Sequence, residues 1–337
     1  MLALTMMDFI APSLTAYGLS EAGFNRKTRY ATVALLVAAN LSDVEVISRV
    51  WGNVTYLEYH RGPSDSLVGI TLLAGLAAAT VCVLKRDAVA NKPLPPLRFG
   101  WLLLGCWAAA GSHLFLDFIS PYGVQLFWPW SHRWYAADIE FGEDPVLLGL
   151  LIAGLGLPAL LRLISEEVGA RRPTMRAGAM VALGLVVMFW GFRWVNHQRA
   201  LTALRSRTYR GEQAGAVAAF PSLANPFVWT GVVETPSAIE VVPINSLNGD
   251  LDTESEGVYY KPKPSAPLET ALKTRTMRVF IAFARFPWAR VRPSRWGWLV
   301  TARDLRFAMP DSRYARIVAR VRLDKNLRVI SQSLRLK

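Results

Sequence analysis

FGWLLLGCWAAAGSHLFLDFISPYG, residues 99–123, runs apolar through Phe118 with only His113 and Asp117 as titratable interruptions. Its length and composition predict a helix across a bilayer, which needs roughly 20 predominantly apolar residues. In that helix positions i and i+4 share a face, so the imidazole and the carboxylate point the same way. An ionised carboxylate near the bilayer centre costs about 2.5–3.5 kcal/mol on insertion scales. A chain that keeps one beside a histidine there has a use for the pair: a metal site, a proton relay or a lid on a water-filled cavity.

Working outward, similar runs recur at 67–84, which holds no charge, at 146–161, closed by Arg162, and at 177–190, closed by Arg193. A further run, 30–50, carries Asp43, Glu45 and Arg49 in its second half and reads as a helix that leaves the membrane partway. The 337 residues are 52% hydrophobic and 19% charged, with mean hydropathy +0.25. That balance excludes an ordinary soluble protein, and the length suits two domains. The start, MLALTMMDFIAPS, lacks the charged segment and full apolar core of a cleavable signal, so the first membrane helix is expected to target the chain. Cys82 and Cys106 fall inside the apolar runs and read as small buried hydrophobes.

Charge in the connections alternates. Arg26, Lys27 and Arg29 precede the first run, the 85–99 connection is basic, and 162–176 holds four arginines; 51–66 and 119–145 are neutral to acidic. The positive-inside rule places the basic connections in the cytoplasm. With five spans, everything after about residue 196 is then extracytoplasmic. That tail holds 23 Lys and Arg against 11 Asp and Glu, nearly all of the net +13. Its charge suits contact with anionic membrane lipids. Nucleic acid is not expected as a partner, because the basic residues are scattered and form no block.

The tail reads as short strands: FVWTGVVET (227–235), IEVVPI (239–244), GVYYKP (257–262), GWLVTARDLRF (297–307), YARIVARVRL (314–323) and LRVISQSL (327–334). One helical segment, 268–284, interrupts them. Trp288, Trp296 and Trp298, set among arginines, suit either a membrane-interface belt or a core. The expected architecture is a multi-pass α-helical membrane domain, residues 1–195, followed by a smaller α+β domain with an antiparallel sheet, residues 196–337.

The polar residues of the membrane half gather at one face. Asp43 and Glu45 end the first run; His60, Arg61, Asp65 and Ser66 precede the second; His113 and Asp117 lie near the outward end of the third. Imidazoles and carboxylates in that mixture suit a divalent metal. Such an ion lowers the pKa of a coordinated water to about 7. Asp65 reads equally as a helix N-cap before an apolar run, and Arg61 as a holder of a substrate anion or of a neighbouring carboxylate.

In order and spacing these motifs resemble the YdjM-like family of membrane-bound, metal-dependent hydrolases. The register begins at Met7-Asp8 and continues through Ser42-Asp43-Val44-Glu45, His60-Arg61-Gly62-Pro63-Ser64-Asp65-Ser66, and His113 to Asp117 with Tyr122-Gly123 and FWPWS (127–131) behind it. The resemblance implies an integral protein of the bacterial inner membrane. It further implies a divalent ion on Asp43, His60, His113 and Asp117, with Glu45, Asp65 and Arg61 as ligands, general base or anion holder, and a lipid or phosphoester as substrate. Two family histidines are replaced, by Pro12 and by Asp65. Fewer nitrogen donors shift the preference from zinc towards manganese, iron or magnesium. A catalytically degenerate membrane scaffold or binding protein is the alternative.

Overall fold

The computed structural model describes residues 9–84, 95–140, 144–168, 174–223, 225–252, 257–308 and 317–336. Met7-Asp8, Arg171-Arg172 and most of the 85–99 connection lie outside them. Contacts divide the chain into two units: Met1–Glu45 with Arg61–Arg193, and Val46–His60 with Trp194–Lys337.

The first unit is helical. α1 (Ile10–Leu19) leads to α2 (Ala31–Leu41), which tightens at Ser42 into a 3-10 helix, Ser42–Trp51. α3 (Asn53–Tyr59) belongs to the second unit. α4 (Leu67–Leu84), α5 (Phe99–Ile119), α6 (Pro145–Val168) and α7 (Met175–Arg205) follow. Among the described residues five helices are long and apolar enough to cross a membrane: Ala31–Trp51, Leu67–Leu84, Phe99–Ile119, Pro145–Ile164 and Met175–Arg205.

Alanines decide how the inner helices meet. Ala34 and Ala38 of α2, Ala74 and Ala78 of α4, and Ala109 and Ala110 of α5 form one buried cluster around Leu35 and Leu102. Small side chains let apolar helices approach closely where lipid gives no hydrophobic drive for association. α5 is the most enclosed span, with 56% of its apolar window buried, so it is the span that can carry polar side chains away from lipid.

The run expected at 177–190 is longer than its apolar part. α7 continues past Arg193 to Arg205, because that arginine is buried and satisfied: its Nε donates to Ile139 O at 3.0 Å, and its guanidinium lies 3.5 Å from Asp144 and 3.9 Å from Glu140. Asp144 in turn accepts from Val146 N at 2.7 Å at the start of α6. Paired charge of this kind is how a membrane helix tolerates arginine.

The second unit is an α+β body with two four-stranded antiparallel sheets. After a small hairpin, β1 (Thr208–Tyr209) with β2 (Glu212–Gln213), come β3 (Val217–Pro221), β4 (Val228–Glu234), β5 (Ala238–Asn245) and β6 (Gly257–Tyr260), paired in that order. Two helices, α8 (Ala266–Leu272) and α9 (Arg275–Phe283), then precede β7 (Pro287–Ser294), β8 (Gly297–Asp304), β9 (Val318–Asp324) and β10 (Val329–Arg335), in the order β10-β9-β8-β7. The single helix expected at 268–284 is therefore two. Thr274 interrupts it by taking an extended conformation and accepting from Met277 N through its hydroxyl, as an N-cap does. His197, expected to mark a membrane exit, is buried in this unit with its ring 5.2 Å from Trp229.

Candidate metal centre

Three chain segments build the site: the 3-10 turn that carries Asp43 and Glu45, the loop 61–66, and the end of α5. The loop is shaped before α4 begins. Arg61 sits in the left-handed region at φ 52, uncommon for a residue with a side chain. Its N–H donates to Glu45 Oε1 at 2.7 Å, and the other Glu45 oxygen accepts from Ser64 Oγ at 2.8 Å. Glu45 thus clamps the loop. From the other side, Gln125 N donates to Arg61 O at 2.9 Å and Leu67 N to Leu126 O at 3.1 Å.

Ser66 then caps α4: its Oγ accepts from Gly69 N at 2.9 Å and donates to Pro63 O. Gly69 is required, because a Cβ there would collide with the carbonyl oxygens of Pro63 and Ser64. With Ser66 as cap, Asp65 is released from that duty and turns inward. Its side chain is 1% exposed, and neither carboxylate oxygen has a hydrogen-bond partner among the described residues.

Asp65 meets His113 and Asp117 there. One ligand atom from each of the three lies within 4.8 Å of the others, and all three residues are buried. His113 Nε2 is 3.5 Å from Asp117 Oδ2 and 3.7 Å from Asp43 Oδ1, so Asp43 adjoins the group. Asp43 Oδ2 and His113 Nδ1 are likewise buried without a hydrogen bond among the described residues. Burial, reinforced by the nearby Glu45 and Asp117 charges, pushes the Asp65 carboxyl well above its ordinary value. A cation between these groups would answer both the charge and the unfilled acceptors. On donor set and burial, the residues fit a divalent ion.

Arg61 faces inward. Its guanidinium pairs with Asp117 Oδ1 at 2.8 Å, donates to Ser120 Oγ at 2.8 Å and lies 4.8 Å over the Tyr122 ring. Of the two roles read from sequence, this geometry is that of a carboxylate holder. Ser120 escaped the sequence reading, and Tyr122 entered it only within the Tyr122-Gly123 motif, with no role assigned; Gly123 there has φ 79.

His60 is not brought into the three-residue group. It packs in the second unit, its ring stacked on Tyr56 at 4.6 Å. Pro12 is buried in α1.

The family profile of YdjM inner membrane proteins matches residues 8–200. The chain belongs to that family. It is thus a multi-pass inner membrane protein. A second profile, the YfhP C-terminal alpha/beta plait domain, matches residues 267–335, which hold α9 and β7–β10. Among curated proteins the chain is similar to the uncharacterized protein YfhP of Bacillus subtilis (strain 168), 22% identical over 125 residues, or 37% of this chain and 36% of that protein. The match thus spans about a third of its relative's length. No solved structure matches.

Proposed function

We propose that this YdjM-family protein is a membrane-bound metal-dependent hydrolase acting on a lipid or phosphoester. The observation that carries the reading is Asp65: a carboxylate buried among an imidazole and two further carboxylates, with both oxygens unbonded among the described residues. Isolated buried charge is too costly to persist without a compensating partner. Asp65, His113 and Asp117 would hold the ion, with Asp43 beside His113. Bound there, a divalent ion would supply Lewis acidity, lowering the pKa of a bound water and polarising a phosphoryl or ester oxygen. The protein's own share is positional. Arg61 and Ser120 fix Asp117, Glu45 holds the loop that delivers Asp65, and Asp43 is the carboxylate left to accept a proton. The oxygen-rich donor set favours manganese, iron or magnesium over zinc.

The test is metal analysis of detergent-purified protein, followed by phosphoester hydrolysis by the loaded form. The reading expects one divalent ion per chain, lost in Asp65→Asn and in His113→Ala, and hydrolysis lost with it. Absence of specific metal in the wild type would overturn it. Stoichiometric metal without hydrolysis of any ester offered would favour the second reading, a binding protein, which the Arg61–Asp117 pair already supports by neutralising one of the three acids. The charge pattern of the connections supports an extracytoplasmic C-terminal unit, which a C-terminal alkaline phosphatase fusion tests: activity is expected, and its absence would reverse the orientation.

A further inference from the structure

The second sheet of the C-terminal unit has one face covered by helices; the other is open except at the Trp288–Val318 end, where Val318 is buried and Trp288 Nε1 donates to Tyr260 O. Val300, Ala302, Ala319, Val321 and Leu334 point to the covered side, where α8 and α9 pack. The alternate residues form three cross-strand rows on the other side. The registers place Arg292, Leu299, Arg322 and Ser331 in one row, Arg290, Thr301, Arg320 and Ser333 in the next, and Trp288, Arg303, Val318 and Arg335 in the third. Six arginines thus stand on one face with no acid in any row, and none pairs with an acidic side chain among the described residues. Five of the six are exposed and Arg320 is half-buried. With adjacent strands about 4.8 Å apart, Arg290 and Arg320 are separated by about 10 Å. Like charges gathered this closely repel unless an anionic partner covers them.

The end of the same sheet identifies the partner. Because Gly297 pairs with Asp324, the β7–β8 turn and the β9–β10 turn lie side by side. Together they expose Trp296 at 67%, Val329 at 46% and Ile330 at 55%. Arg295, stacked on Trp296 at 5.0 Å, Lys325 and Arg328 flank them. Asp324, the acid at this end, is occupied in its turn, accepting from Asn326 N and Arg328 N. A nucleic acid would use the arginines but has no use for exposed valine and isoleucine beside them. A lipid surface uses both: guanidinium groups bind headgroup phosphate, and an exposed tryptophan with aliphatic neighbours seats in the interfacial layer.

We infer that this sheet face and its paired hairpin turns dock on an anionic phospholipid surface. The inference rests on the membrane assignment of the family and is independent of the metal reading.

The test uses full-length protein in neutral phosphatidylcholine nanodiscs, titrated with vesicles of phosphatidylcholine alone or with added phosphatidylglycerol. Binding is expected only to the anionic vesicles, and high salt should weaken it. Each arginine removed should weaken it about fivefold, so Arg290→Gln, Arg320→Gln and Arg322→Gln combined should cost about a hundredfold. An environment-sensitive fluorophore on Trp296→Cys should shift to the blue on binding. Equal binding to both vesicle types would overturn the inference, as would tighter binding to a single-stranded oligonucleotide than to anionic vesicles. Should the triple variant unfold, the salt titration and the fluorophore shift on the otherwise unaltered chain decide the matter.

Discussion

Two buried aspartates in this chain have opposite surroundings. Asp304, in the C-terminal unit, accepts from Arg285 N, Phe286 N and Arg306 N at 3.0–3.2 Å and from Arg306 Nε at 2.7 Å. Its arginine partner is also satisfied, donating to Phe283 O and lying 4.6 and 5.1 Å from the Phe283 and Phe307 rings. Asp65 is equally buried, yet its oxygens have no hydrogen bond among the described residues, and its nearest titratable neighbours include further acids. The first carboxylate is complete as folded, and its charge is a structural joint. The second has no such partner among the described residues, and on the proposed reading a bound ion would supply it. Burial of an acid alone does not distinguish the two roles; its hydrogen bonds do.

The contrast predicts mutational effects of very different size. Asp304→Ala strands the Arg306 guanidinium in the core, and breaking one side of a buried pair costs about 3–5 kcal/mol. Thermal melting of the purified protein should show a large fall. Asp65→Asn replaces a carboxyl whose charged form the metal-free site already disfavours, so metal-free protein should melt no lower than the wild type. Wild-type protein should instead be stabilised by the ion itself, by about 2.7 kcal/mol at a hundredfold excess over Kd. That gain should vanish in Asp65→Asn and His113→Ala. A metal-free Asp65→Asn that melts well below wild type would place Asp65 with Asp304, as a structural acid.

A smaller effect separates cap from ligand within one loop. Ser66→Ala should cost about 1 kcal/mol, the ordinary price of an N-cap, while metal stoichiometry stays at the wild-type value. Loss of metal in Ser66→Ala would mean that the cap, through the loop it closes, sets the ligand geometry.

Much of this arrangement was legible in the residues. The apolar runs at 67–84 and 99–118 became α4 and α5, and His113 and Asp117 do share a face of the latter. The alternating text at 227–235 and 239–244 became the central strands β4 and β5. What stayed hidden has physical reasons. β7 begins at Pro287, carries a second proline at 293 and exposes two arginines, a composition that edge strands tolerate and sequence patterns miss. Asp65 and Ser66 are adjacent capping residues, and nothing local says which one turns inward; the contact of Gly69 with the folded-back loop decides it. His60 reads with His113 as a ligand, and nothing local announces that its ring stacks on Tyr56, one turn earlier on α3. Such choices depend on neighbours brought in by the fold.

A third carboxylate tests the comparison from the solvent side and should give the smallest effect. Glu212, half-buried at the surface, is bonded by Thr235 and Ser237, and these hydrogen bonds hold its carboxyl below the ordinary value of 4.5. Its Oε2 accepts from Ser237 N at 3.2 Å and Ser237 Oγ at 3.0 Å. Because the folded value is the lower one, the stabilisation is present above pH 4.5 and is lost as the pH falls through the folded value. Water and salt screen this surface site, so Glu212→Gln should lower the melting temperature only slightly at neutral pH. The difference from wild type should close in acid, below the folded value. A difference that persists there would mean that the side chain stabilises the β1–β2 hairpin by shape, with its charge irrelevant. The rule drawn from Asp65 and Asp304, that hydrogen bonds to the ionised carboxylate distinguish the roles, would then hold only where water is excluded.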